Sequence, residues 1–216
     1  MPRTGPAGSP RAPWTIDAYG RDATRYDART ARYDAYRRRA VDALSPRRGD
    51  VVVDVGCGTG LCFATLVDRI GATGTVVGVE PAPAMRALAA ERVGARGWTN
   101  VVLVGSAVES ADLPTADRAL FCAVHDVLQS AAALDHVLAS LRDGGGVAAT
   151  GGKWAPPWAF AVNAAVVALH APFVRSFAGF DRPWALLAER VPGLSVEELA
   201  MGGGYVAWGC VPHGSA

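Results

Sequence analysis

Lysine is all but missing from this chain: Lys153 is the only one in 216 residues. Net charge is nearly absent too, at +1, although residues 1–50 hold 11 Arg against 6 Asp. Asp17, Asp22, Asp27, Asp34 and Asp42 interleave those arginines. The stretch is therefore not the aromatic-interleaved basic patch of a nucleic-acid reader, and no nucleic-acid partner is expected. Cysteine is scarce. Cys57, Cys62, Cys122 and Cys210 form no C-x-x-C pair and have no histidine at ligand spacing, so no metal is expected. Two of the four sit in or beside a glycine-rich loop, a poor place for a disulfide, which points to a reducing, cytoplasmic compartment. Long apolar runs are lacking as well. The N-terminal "MPRTGPAGSPRAP" has Pro and Gly where a signal peptide needs an apolar core, and reads as a flexible tail over residues 1–13. The most apolar segment, 154–174, is broken by Pro156, Pro157, Asn163, His170 and Pro172, so no membrane span is expected.

What remains is a globular composition, 50% hydrophobic and 19% charged, of a length that suits one domain. A helical pattern runs from Ile16 to Leu44 and ends at Pro46 and Gly49, a helical cap over residues 14–48. Short apolar runs follow at Val51–Val55, Val76–Val79, Val101–Val104, Ala119–Val124 and Val147–Thr150. Helices are predicted between them at Leu61–Ile70, Ala84–Val93 and Ala131–Leu141. Strands alternating with helices imply an α/β fold with a mostly parallel sheet covered on both faces. After Lys153 no strand is predicted for about forty residues. Helices near Phe160–His170 and Leu186–Arg190 come first, and then Val196–Met201 and Tyr205–Val211 flank "GGG", a hairpin that makes the last strand antiparallel.

The stretch "VVVDVGCGTG", Val51 to Gly60, sends an acid and three alternate glycines off the end of the first strand. Free backbone N–H groups at a helix N-terminus hold a ligand that can approach closely where side chains are missing. The dinucleotide fingerprint G-x-G-x-x-G would need its third glycine where Leu61 stands. Asp54 also suits a positively charged ligand better than a pyrophosphate. A nucleotide-dependent oxidoreductase is thus the rival reading.

The D-x-G-x-G-x-G pattern resembles motif I of class I S-adenosylmethionine-dependent methyltransferases, over roughly Tyr19 to Val211. The resemblance implies a Rossmann-like seven-stranded mixed sheet with its last strand antiparallel, here residues 49–216, carrying an aromatic lid insertion at 154–184. It also implies S-adenosylmethionine as methyl donor and S-adenosylhomocysteine as product. By the same resemblance, Asp54, Gly56, Cys57, Gly58 and Gly60 face the amino-acid end of the cofactor. Glu80 in "VVGVEPAPAM" takes the ribose hydroxyls, as one carboxylate can accept from both. Pro81 and Met85 line that edge. Ser106 and Ala107 in "VGSAVE" stand where the family has an Asp and a small residue beside the adenine. Cys122 backs the adenosyl group or fills core. Tyr26 or Tyr33 reaches the donor's carboxylate from the cap, or merely staples a helix; Arg25, Arg29 and Arg32 read as a solvated face.

Methyl transfer needs alignment, exclusion of water and, for a hydroxyl acceptor, a base. His125 in "FCAVHDVLQ", just past the fourth strand, is the candidate base, or else caps the helix that starts at Asp126, with Asp126 as the N-cap. His136 and His213 read as structural or exposed. Trp154, Trp158, His170 and Phe177 are candidate substrate residues, in a segment that also holds Phe160, Phe173, Phe180 and Trp184. So many aromatics suggest a small apolar or aromatic acceptor under a lid, or a satellite core. The expected activity is methylation of such an acceptor at O, N or C. A catalytically silent, donor-binding subunit and an RNA methyltransferase stand as further alternatives, and homodimerisation is left open.

Overall fold

The computed structural model describes residues 26–174 and 176–212. The expected tail, residues 14–25 of the expected cap and His213 lie outside the described residues.

Residues 26–30 are helical (α1) and pass through a 3₁₀ turn, Ala31–Tyr33, into α2, Asp34–Leu44. Arg37, Ala40, Val41 and Leu44 form its buried face, at offsets of three, four and seven. Ser45 closes α2 in the left-handed conformation and Pro46 bars its continuation. Then β1 (Val51–Val55), α3 (Phe63–Ile70), β2 (Thr75–Val79), α4 (Pro83–Arg96) and β3 (Val101–Val104) alternate. Pro83 sits in the first turn of α4, and Gly97 ends it with a positive φ of 64°. The second half comprises β4 (Ala116–Cys122), α5 (His125–Leu128), α6 (Ala131–Ala139), β5 (Leu141–Gly152), α7 (Phe160–His170), α8 (Ala185–Arg190), β6 (Ser195–Leu199) and β7 (Gly204–Cys210).

The seven strands lie in the order β3-β2-β1-β4-β5-β7-β6. All neighbours pair in parallel except β7, which runs antiparallel to both β5 and β6. Side chains alternate between two cores, as the pleat requires. Val53, Val55, Val77 and Phe121 pack with Leu134 and Val137 of α6 and Leu187 of α8. Val52, Val76 and Leu120 face the other way, onto Val41 of α2 and Phe63, Leu66 and Ile70 of α3. Each such side chain contributes about 1.5–3 kcal/mol by leaving water. Among the described residues no helix is long and apolar enough to cross a membrane.

Three local differences from the sequence reading have physical causes. First, β5 begins at Leu141, so the glycine turn "DGGG" lies within the strand, where a register shift against Ala116 and Arg118 absorbs it. Second, Asp126 is not an N-cap: Val124 precedes α5, no side chain caps it, and Asp126 lies in the first turn. Third, β6 and β7 meet through a tight turn, Ala200–Gly202, in which Ala200 and Met201 are left-handed without being glycine. Buried Lys153 holds that turn: its ammonium donates to the carbonyls of Trp154 (2.8 Å) and Gly202 (3.1 Å) and pairs with Glu198 (2.9 Å).

Candidate functional site

Strand order reverses between β1 and β4, and the crevice beyond their carboxyl ends is where an open α/β sheet binds ligands. A cavity of about 320 Å³ opens there, between the glycine loop, the cap and α7. Gly56, Gly58 and Gly60 all have positive φ, but they do different things. A Cβ on Gly56 would strike Val124, and one on Gly60 would strike the Phe63 ring, both within 2.6 Å. At Gly58 the nearest atom would be the Met85 methyl at 3.5 Å, so this glycine leaves bare backbone on the cavity wall.

Glu80, buried at the end of β2, binds that backbone. Gly58 N–H donates to one carboxylate oxygen (3.1 Å) and Ala82 N–H to the other (2.7 Å). A carboxylate has about four acceptor sites, more than these two N–H groups use. Asp54 is 1% exposed, and its Oδ2 has no hydrogen-bond partner among the described residues. Burial raises its pKa from the ordinary 3.8 to about 7; nearby Arg37 lowers it and Glu80 raises it. Arg37 is 7% exposed; its guanidinium donates to the Thr30 carbonyl (3.0 Å) and Asp34 (2.5 Å). The sequence reading passed over Arg37 among its neighbouring arginines, although its place on the Ala40–Leu44 face was the available signal.

Tyr26 and Tyr33 both reach the cavity from the cap. Burial holds the Tyr26 phenol far above its usual range, and the Tyr33 hydroxyl is buried without a partner among the described residues. Asp27 latches the cap to the glycine loop: it accepts from the Thr59 hydroxyl (2.6 Å) and pairs with Arg92 of α4, which itself donates to the Thr59 carbonyl (2.8 Å).

Of the other sequence candidates, Pro81, Met85 and Cys122 line the cavity. Cys57 and Gly60 do not. The loop turns the Cys57 thiol into the core, against Gly78 and Phe63. Ser106 and Ala107 also lie off the cavity wall, although Ser106 Oγ is buried without a partner. The aromatic segment divides. Trp158, in the turn before α7, and Phe160, the first residue of that helix, point outward at 76% and 80% exposure. Trp184 joins the core against Tyr205, 4.8 Å between rings. Trp154 and Phe177 stack on Phe180 from behind, so they support the cavity wall rather than form it. Phe180 and Phe173, not among the predicted site residues, line the cavity, as does His170.

His125 and His170 flank Phe180, with ring centroids 4.3 and 5.6 Å away. Burial holds both imidazoles below the usual pKa of 6.5. His125 Nε2 lies 3.0 Å from the Ala178 carbonyl, while its Nδ1 is sealed and unpartnered. His170 Nδ1 lies 2.9 Å from the Val166 carbonyl. His136 packs in α6 with Nε2 on the Ala111 carbonyl at 2.7 Å.

The geometry agrees with comparison to known proteins. Residues 52–145 match a family model described as a methyltransferase domain. Over 89% of its length the chain superposes on 98% of a SAM-dependent methyltransferase from Aquifex aeolicus, with a TM-score of 0.66 and 18% identity. The chain thus has the fold of the class I methyltransferases. Aklanonic acid methyltransferase DauC of Streptomyces sp. strain C5 is 35% identical over 77 residues, 36% of this chain and 35% of that protein. Nocamycin O-methyltransferase of Saccharothrix syringae is 47% identical over 55 residues, 25% of this chain and 20% of that protein. The matched segments thus span about a third or less of these curated relatives. The cofactor that this fold implies is S-adenosylmethionine. The residues present fit it: the unpartnered Asp54 carboxylate oxygen suits a cationic group, buried Arg37 suits a carboxylate, and bare Gly58 backbone with Glu80 suits a ribose.

Proposed function

We propose that the protein methylates a small, apolar or aromatic acceptor, with S-adenosylmethionine as donor and S-adenosylhomocysteine as product. One observation carries this reading: a single cavity joins the Glu80 and Gly58 end to an apolar wall formed by α7, Phe173 and Phe180. In this reading Asp54 and Arg37 take the donor's ammonium and carboxylate, and Tyr26 or Tyr33 closes over that end. Glu80 accepts from the ribose hydroxyls, and Pro81, Met85 and Cys122 back the adenosyl group. Bound there, the cofactor supplies a methyl group already activated by its sulfonium. The chain's own residues then have to orient the acceptor, exclude water and accept a proton where the acceptor is a hydroxyl. Relatives named for the methylation of aklanonic acid and nocamycin support a small-molecule acceptor.

The same reading takes residues 49–216 as the catalytic unit and 14–48 as a helical cap, whose described part from Tyr26 onward borders the cofactor end, uses no nucleic acid, and places the protein in the cytoplasm, where four free thiols are stable. A homodimer would cover exposed Trp158, Phe160 and Met201, and sedimentation velocity tests it. Calorimetry with S-adenosylmethionine and NAD, followed by S-adenosylhomocysteine release over phenols, amines and enols, tests the function. Donor binding with product release on an apolar acceptor is expected. Binding without release on any acceptor would mean a silent binding subunit, and NAD binding alone would mean an oxidoreductase.

A further inference from the structure

Resting on that reading, we propose that His170 is the general base of the reaction and that the acceptor is a phenol or enol hydroxyl seated between His170, Tyr33 and Phe180. The tautomer follows from the backbone. A carbonyl oxygen can only accept, so the 2.9 Å contact to Val166, one turn back on α7, fixes the proton of a neutral His170 on Nδ1. Its Nε2 is then a bare lone pair, without a hydrogen-bond partner among the described residues. That edge lies over Gly152 at the carboxyl end of β5: a Cβ there would come within 2.4 Å of Cε1 and Nε2. Gly152 is thus small so that the imidazole can sit on the cavity floor.

The same rule disfavours His125. Its contact to the Ala178 carbonyl places the proton on Nε2 and leaves the lone pair on Nδ1, which is sealed from solvent. The other titratable or charged groups lining the cavity are Tyr26, Arg32, Tyr33, Tyr36 and Arg37 from the cap, Glu80 after β2, Cys122 of β4, Asp126 of α5 and Tyr205 of β7. The Tyr33 ring meets His170 edge-on at 6.2 Å, and Phe180 does so at 5.6 Å, a slot suited to a planar ring. A phenol near pKa ~10 lies within reach of a neutral imidazole, which a saturated alcohol does not.

The step balances. His170 Nε2 takes the hydroxyl proton and becomes imidazolium. The acceptor oxygen forms the new bond to the methyl carbon, and the carbon–sulfur pair stays on sulfur as a neutral thioether. The imidazolium returns its proton to solvent.

The test uses the full chain loaded with S-adenosylhomocysteine and 4-nitrophenol as probe, so it needs no turnover. Absorbance of the bound probe is expected to show it ionised about tenfold more than in free solution at the same pH. His170→Gln should restore the solution value while calorimetric binding of S-adenosylhomocysteine stays unchanged. Long-range ¹⁵N–¹H spectra of the unliganded protein should show His170 as the Nδ1–H tautomer. The proposal falls if the probe keeps its solution ionisation or does not bind, if His125→Gln rather than His170→Gln abolishes the shift, or if His170 carries its proton on Nε2. Failure of S-adenosylhomocysteine itself to bind would overturn the methyltransferase reading, and this proposal with it.

Discussion

At the scale of single residues, the proposed donor end of the site is a set of buried groups that are costly without a ligand. Glu80 accepts from Gly58 N–H and Ala82 N–H, so it shapes the glycine loop as well as facing the cavity. Glu80→Ala should weaken S-adenosylmethionine binding by about 2–3 kcal/mol, the scale of hydrogen bonds to a charged group. Calorimetry that finds affinity unchanged would remove Glu80 from the ribose role. Asp54 was conspicuous in the sequence because its place before three glycines at a strand end has few purposes. Arg37 was not, because a run of arginines on a helix reads as a solvated face unless its phase is counted from Ala40 and Leu44. Trp158 was misleading for the opposite reason: an aromatic residue near a site signals apolar surface, but sequence alone does not say which way the turn before α7 points it.

At the scale of elements, strand and helix order was legible throughout, since apolar runs alternating with amphipathic ones leave little else for β1 to β5 to form. The β6–β7 joint was legible as a hairpin but not in its detail. Its left-handed Ala200 and Met201 are strained positions that only the Lys153 clamp makes intelligible. Lys153→Met should therefore lower thermal stability clearly, because three ammonium contacts vanish while their partners stay in place. A melting temperature within error of the parent would show the turn to be self-supporting. The cap is held differently. Asp27 reaches Thr59 in the glycine loop and Arg92 in α4, and it is partly exposed, so its pairing counts for about 1 kcal/mol. Asp27→Ala should speed donor release roughly fivefold, as that energy implies. Stopped-flow release rates equal to the parent's would mean that the cap does not gate the donor.

At the scale of the whole molecule, the buried Asp54 couples donor binding, stability and pH. Its pKa in the folded, donor-free protein is about 7, above the ordinary 3.8, because burial penalises the charge. A group shifted in this direction favours folding while protonated, and that contribution is lost as pH rises through the folded value. His125 and His170 are shifted downward and destabilise only below about pH 6.5. The buried Cys57 and Cys62 thiols, held well above their ordinary range, cost stability only as pH approaches 9, so the window from about pH 6.5 to 8 isolates the carboxyl. Across it, the donor-free protein should lose about 1 kcal/mol from Asp54, or roughly 2–4 °C of melting temperature at this length. Asp54→Asn should lack that decline, melt higher than the parent at about pH 8, and bind the donor poorly. A cationic donor group beside Asp54 draws the carboxyl back toward its charged form, so binding near pH 6 should release close to one proton, and binding above about pH 8 none. Calorimetry in phosphate and Tris buffers counts that proton. If the parent releases none near pH 6, or if Asp54→Asn releases as many, Asp54 is not the group that meets the donor's charge.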